Sequence, residues 1–100
     1  GHVYVYKVIN NTLGSFAQTF SIDAITCVDW SPDGQYIAAS GGFPANGNGD
    51  IYVFYYDRAA HAVNCVNSLV FEFDPVSSVH WSADGRMIAV AGFVNYTPIN

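Results

Sequence analysis

Apolar residues in this chain fall in short runs that alternate or are wholly apolar, and no stretch keeps the 3.6-residue spacing of a helix. Val3 to Ile9 reads Val-Tyr-Val-Tyr-Lys-Val-Ile, β-branched and aromatic, and predicts a strand. Phe16 to Ile22 predicts a second, with Phe16, Gln18, Phe20 and Ile22 on one face. Further strands are predicted over Ile25 to Ser31, Tyr36 to Gly42, Ile51 to Tyr56, Val76 to Ser82 and Arg86 to Phe93. One more lies within Val63 to Phe73, most clearly Leu69 to Phe73. Between them stand turn clusters at Asn10 to Gly14 and Asp57 to Ala62, and a Gly/Asn-rich loop at Pro44 to Gly49. Tyr96 to Asn100 reads as loop. The expected fold is all-β.

The pattern also repeats. Trp30-Ser31-Pro32-Asp33-Gly34 returns 51 residues later as Trp81-Ser82-Ala83-Asp84-Gly85. Asp-Gly tolerates the positive φ of a tight turn, so each copy predicts a hairpin between its flanking runs. Val28 matches Val79 and Ile37 matches Ile88 at the same offset, whereas the Val3 and Ile51 strands match at an offset of 48. The extra length is expected in a loop between Asp57 and Leu69. If the two ends are joined, Asn100-Gly1-His2-Val3 matches Asn48-Gly49-Asp50-Ile51. The chain then reads as two units, one of them cut: residues 25–75 a complete blade of four strands, 1–24 the third and fourth strands of a split blade, and 76–100 its first two. That frame invites the end of one copy to pair with the start of the next.

Composition changes the picture in one respect. Hydrophobic residues make up 51% of the chain and charged residues only 11%, too few charges to solvate a 100-residue monomer, where about a quarter is usual. No apolar run approaches the ~20 residues of a membrane-spanning helix, so burial against protein is the expected remedy. Nothing resembles a signal peptide, and the chain is expected to be soluble, in an unassigned compartment. The cations Lys7, Arg58 and Arg86 are scattered and the net charge is −5, which argues against nucleic acid as a partner. Cys27 and Cys65 are expected as buried free thiols.

Taken in order, these residues resemble the WD-repeat β-propeller family. The aromatic-Ser-Pro-Asp-Gly turn that ends strand a is Trp30 to Gly34, and Ile37-Ala38-Ala39-Ser40-Gly41 is similar to its small-residue strand b. Asp50 stands one residue before strand c, and Tyr56-Asp57 closes it where the family has Trp-Asp. The resemblance implies blades of four antiparallel strands, two blades' worth per chain. The Gly-His that opens strand a in the family is absent before Ile25 and Val76, and His2 replaces the Asp50 equivalent, so the family's Asp-His-Ser/Thr-Trp network is not expected here. Blade faces are apolar and two blades leave two faces bare. The expectation is therefore a ring completed by homo-oligomerisation: a homotetramer of eight blades, alternatively a homotrimer of six.

Candidate chemistry is sparse. Trp30, Asp33, Gly34, Asp50, Trp81, Asp84 and Gly85 are expected to be structural markers of turn and repeat. Asp29 and His80 are repeat-equivalent and alternate with the Val and Trp positions, so they form a candidate polar pair near the axis or blade interface. They could bind an ion or act as acid and base, but a structural hydrogen-bonded pair is the preferred reading. A His buried there beside a carboxylate would gain basicity and make assembly pH-sensitive. His2 and His61 are expected to be solvated. No zinc spacing, nucleophile elbow or phosphate-binding loop is present, so no cofactor, metal or catalytic activity is expected. The expected function is a non-catalytic scaffold, open to other protein partners. The alternative is a small-ligand or glycan-binding propeller using the loops at 43–50 and 94–100 with 1–2.

Overall fold

The computed structural model describes residues 1–22, 24–41, 49–71 and 76–92. Those residues form eight strands and no helix: β1 (Tyr4–Ile9), β2 (Thr12–Gln18), β3 (Ile25–Trp30), β4 (Tyr36–Gly41), β5 (Gly49–Asp57), β6 (Ala62–Phe71), β7 (Val76–Trp81) and β8 (Ile88–Gly92). All pairings are antiparallel between sequence neighbours. They give a two-stranded sheet β1–β2, a four-stranded meander β3–β4–β5–β6 and a two-stranded sheet β7–β8. The expected loop at 94–100 and most of the one at 43–50 lie outside the described residues, and Gly49 already belongs to β5.

Several predicted boundaries move: β2 ends at Gln18 and not at Ile22, β8 starts at Ile88 and not at Arg86, and two further starts move for local reasons. β2 starts at Thr12 instead of Phe16, because Asn10 and Asn11 both take positive φ (51° and 63°) and close a two-residue turn directly between Ile9 and Thr12. That backbone matches the right-handed twist of the strands it joins, and Asn tolerates it better than most residues. β6 starts at Ala62 instead of near Leu69. The Asp57 carboxylate accepts the backbone N–H groups of Ala59 and Ala60, His61 takes φ 51°, and the chain turns within Arg58–His61. The extra length of this unit is therefore shared: the turn at 58–61 is two residues longer than Asn10–Asn11, as expected of a loop, and β6 has ten residues against seven in β2.

The four-stranded sheet is central. Alternation along β4 and β5 places Ile37, Ala39, Tyr52, Phe54 and Tyr56 on its front face and Ala38, Ser40, Ile51, Val53 and Tyr55 on its back. Val3, Val5 and Ile22 pack on the front, forming a buried cluster with Ile37, Ala39, Phe54 and Tyr56. Phe20 approaches Tyr52 edge-on and Phe54 at a tilt, at ring separations of 5.6 and 5.7 Å. The sheet β7–β8 lies on the back, where Val76 and Val79 are buried. There the Thr26 hydroxyl donates to the Val76 carbonyl (2.7 Å) and accepts from buried Ser40 (2.8 Å), and the Cys27 thiol donates to the Val79 carbonyl.

The repeat extends below the level of strands. The β3–β4 pairing is bulged between Ile25 and Cys27, and the β7–β8 pairing between Val76 and Ser78, the same place 51 residues on. In each bulge a hydroxyl lies within hydrogen-bonding distance of the partner strand's carbonyl, Thr26 near Ser40 and Ser77 near Ala91, although the one Thr26 proton has its shorter contact at Val76. On β4 the residues Ala38, Ala39 and Ser40 are wholly buried, so neighbouring backbones come close and no space remains for a larger side chain. Ala39→Leu is expected to lower stability by about 1–3 kcal/mol through overpacking, read as a lower urea midpoint with an unchanged slope.

Candidate interaction surface

The marker turns are built identically in both units. Ser31 donates to the Asp33 carboxylate, which also accepts the Gln35 N–H (3.0 Å), while the Tyr36 N–H returns to the Ser31 hydroxyl (2.9 Å). Ser82, Asp84, Arg86 and Met87 repeat these bonds. Gly34 and Gly85 sit at φ +73° and +74°, where a side chain would be strained, and at Gly34 a Cβ would also meet the Arg58 guanidinium at 2.9 Å. Ser31 and Ser82 thus hold the turn as much as the Asp and Gly that follow. The repeat contained this signal, since both serines recur at the offset of 51.

Asp33 and Asp84 are exposed, and both carboxyls are held below the usual carboxylate range. The largest cause is the hydroxyl each accepts, from Ser31 and Ser82 respectively, followed by the backbone N–H of Gln35 and Arg86; Arg58 adds a smaller pull on Asp33.

Trp30 meets Tyr56 edge-on at 5.7 Å, and Arg58 lies over both rings while donating to the Gly34 carbonyl at 2.8 Å. Arg58 thereby clamps the first turn to the end of β5. His61 is half-buried, not solvated. Its Nε2 lies 3.1 Å from the Ser15 carbonyl, which can only accept, so Nε2 carries a proton; Nδ1 lies 2.6 Å from the Tyr56 hydroxyl. This residue ties the central sheet to β2, and its position in a turn gave no hint of it. His2 is half-buried, with its ring 5.9 Å from Tyr4.

Of the polar pair, Asp29 faces β7. Its carboxylate accepts the Trp81 backbone N–H (2.8 Å), and its carbonyl accepts the Trp81 indole N–H (3.1 Å). His80 is exposed, so the buried His beside a carboxylate that pH-sensitive assembly would need is not formed within one chain. Asp50 lies in β5 opposite Gly41. Both cysteines are free; Cys27 is half-buried and Cys65 is exposed, contrary to the expectation of two buried thiols. Among the described residues no cluster of His, Cys, Asp or Glu could hold a metal ion, and no helix is long and apolar enough to cross a membrane.

What stands out is uncovered apolar surface. A groove of about 430 Å³ runs behind the central sheet between β5–β6 and β8, lined by Ile51, Val53, Leu69, Ile88 and Val90. A recess of about 130 Å³ lies on the front beside β1, lined by Val3, Val5, Val28, Trp30 and Ile37. Tyr4, Tyr6, Val8, Phe16, Val28 and Trp30 are all more than two-fifths exposed. Apolar area on this scale marks an interaction surface.

The model of the WD domain, G-beta repeat, matches residues 13–55 and 63–93. The chain belongs to the WD-repeat family. No curated protein and no solved structure matches it. Its WD repeats make it a protein-interaction module of a family whose members are generally non-catalytic scaffolds. The first WD match runs from β2 through β5 and so crosses from one sheet into the next.

A carboxyl with a lowered folded-state pKa adds stability that is complete above its unfolded value of about 3.9 and lost as pH falls through the lower folded value. The marker turns should therefore weaken below about pH 4. In Asp33→Asn/Asp84→Asn that part of the acid loss should disappear, measured as a flatter dependence of thermal midpoint on pH between 2 and 5.

Proposed function

We propose that the chain is a non-catalytic interaction scaffold that closes into a ring with copies of itself, four chains supplying eight propeller blades. In this reading residues 25–75 are one complete blade. Residues 76–100 of one copy and 1–24 of the next join as strands a–b and c–d of a second.

One observation carries the reading. The central sheet is flanked by two half-sheets, β1–β2 in front and β7–β8 behind, and each has an edge with no partner strand among the described residues. Each half-sheet covers only part of the face it packs on. Together β7–β8 and β1–β2 have the strand count of the blade they flank, and the internal repeat aligns them with its four strands in order. The low charge content fits the same reading, because a chain with only 11% charged residues lacks the means to keep these faces in water. Propellers hold about four to eight blades, so two blades per chain admit two, three or four chains.

Protein interaction is then the work of the assembled ring, which holds the marker turns in a fixed circular array. The native mass tests the reading. The expected value is four times the 10.8 kDa chain. Three times that value would keep the ring and correct the count to six blades; a stable particle of single-chain mass at micromolar concentration would overturn it.

A further inference from the structure

The uncovered aromatic side chains of β1–β2 and the groove behind β5–β6 are complementary. Phe16 stands edge-on to Tyr4 at 5.3 Å and beside Tyr6 at 5.4 Å, so the three rings form one cluster. Each is nearly half exposed, because alternation turns Tyr4 and Tyr6 away from Val3 and Val5, which face the central sheet. The groove lies on the other side of the molecule. Ile51, Val53 and Leu69 line it from the central sheet, and Ile88 and Val90 line it from β8.

We propose that β1 of a second copy adds to the free edge of β8 in one defined register, seating its Tyr4, Tyr6 and Phe16 in this groove. The proposal rests on the ring reading and names the contact that makes it. The register follows from the internal repeat. Within one chain β4 pairs with β5 as Ile37↔Phe54, Ala38↔Val53, Ala39↔Tyr52, Ser40↔Ile51 and Gly41↔Asp50. Moving β4 by 51 residues and β5 by 48 gives Ile88↔Tyr6, Ala89↔Val5, Val90↔Tyr4, Ala91↔Val3 and Gly92↔His2 between copies. Tyr4 and Tyr6 then stand beside Val90 and Ile88, on the face those two residues turn to the groove. A slip by one residue would turn the rings out of the groove, so the apolar face itself selects the register.

The pairing cannot form within one chain, because β1 and β8 lie on opposite faces of the central sheet. It also continues contacts already present. β1–β2 packs on the front of its own central sheet through Val3 and Val5, and β7–β8 packs on the back of the same sheet. The two halves of a blade interface are thus each made once per chain, and the second copy supplies the missing half of each.

Thiol cross-linking tests the register, with both native cysteines replaced by alanine. Equal amounts of Tyr4→Cys and Val90→Cys chains are mixed through the unfolded state, refolded and oxidised. A covalent two-chain species is expected that neither variant forms alone, and its loss is expected when Ala91→Cys replaces Val90→Cys. Placing Tyr4→Cys and Val90→Cys in one chain should link every copy of the particle. As a second measurement, Tyr6→Lys, at a site exposed in the single chain, should retain the far-ultraviolet circular dichroism of the strands while the native mass falls to that of one chain. A multi-chain particle in which only the slipped pair links, or neither does, overturns this register and leaves the ring reading standing. A single-chain particle for the unsubstituted protein overturns both.

Discussion

A sheet with apolar side chains on both faces must be covered twice. β5 imposes this condition, because Ile51, Val53 and Tyr55 project to one side and Tyr52, Phe54 and Tyr56 to the other. An ordinary two-layer domain has no place for such a strand, since its outer face would rest in water. Here the strand lies in a central sheet with another sheet on each side, and the remaining features follow. The strands around it carry little charge, and the polar groups that do enter the interior are partnered. Ser40 is wholly buried and bonded to Thr26, and among the described residues no buried side-chain nitrogen or oxygen lacks a hydrogen-bond partner. The same condition passes outward at β1–β2, which turns the apolar Tyr4, Tyr6 and Phe16 away from the centre.

Hydrogen bonds between layers are few but specific. Thr26 reaches the Val76 carbonyl, Asp29 the Trp81 N–H, and His61 the Ser15 carbonyl. They add about 0.5–1.5 kcal/mol each, more for a charged partner such as Asp29, which is modest beside the apolar area they accompany. Their role is orientation. Apolar faces can slide over one another, whereas a carboxylate that accepts one particular backbone N–H fixes where β7 lies on β3. The WD match from β2 to β5 crosses from a flanking sheet into the central one, so the covalent chain joins layers that these bonds then align.

Much of the fold was legible in the residues. Eight strands, their order and the equivalence of the two hairpins follow from alternation and from the phrase that recurs at Trp30 and Trp81. Boundaries were less legible where side chains reshape the backbone. Asn10 and Asn11 closed a turn in two residues, and Asp57 gathered two backbone N–H groups so that β6 resumed at once. The surface was legible as a composition, since too few charges imply uncovered area, but its location was not. Which residues line the groove depends on the stacking of sheets distant in the sequence. His61 was illegible for the same reason: its partner Ser15 is 46 residues away. Asp29 and His80 were readable as equivalent positions. Their differing surroundings were not, because one faces a sheet of its own chain and the other is exposed.

The column Ala38-Ala39-Ser40 on β4 stands beside the column Tyr52-Val53-Phe54 on β5. Small side chains therefore set the gap between layers at β4, and large ones set it next door. A slab built this way is thinner at β4 than at β5. Tapered slabs laid face to face do not make a straight stack; they bend toward their thin edges, as the stones of an arch do. Enlarging residues on β4 or trimming those on β5 would alter that taper, and with it the curvature of any array in which these sheets are laid.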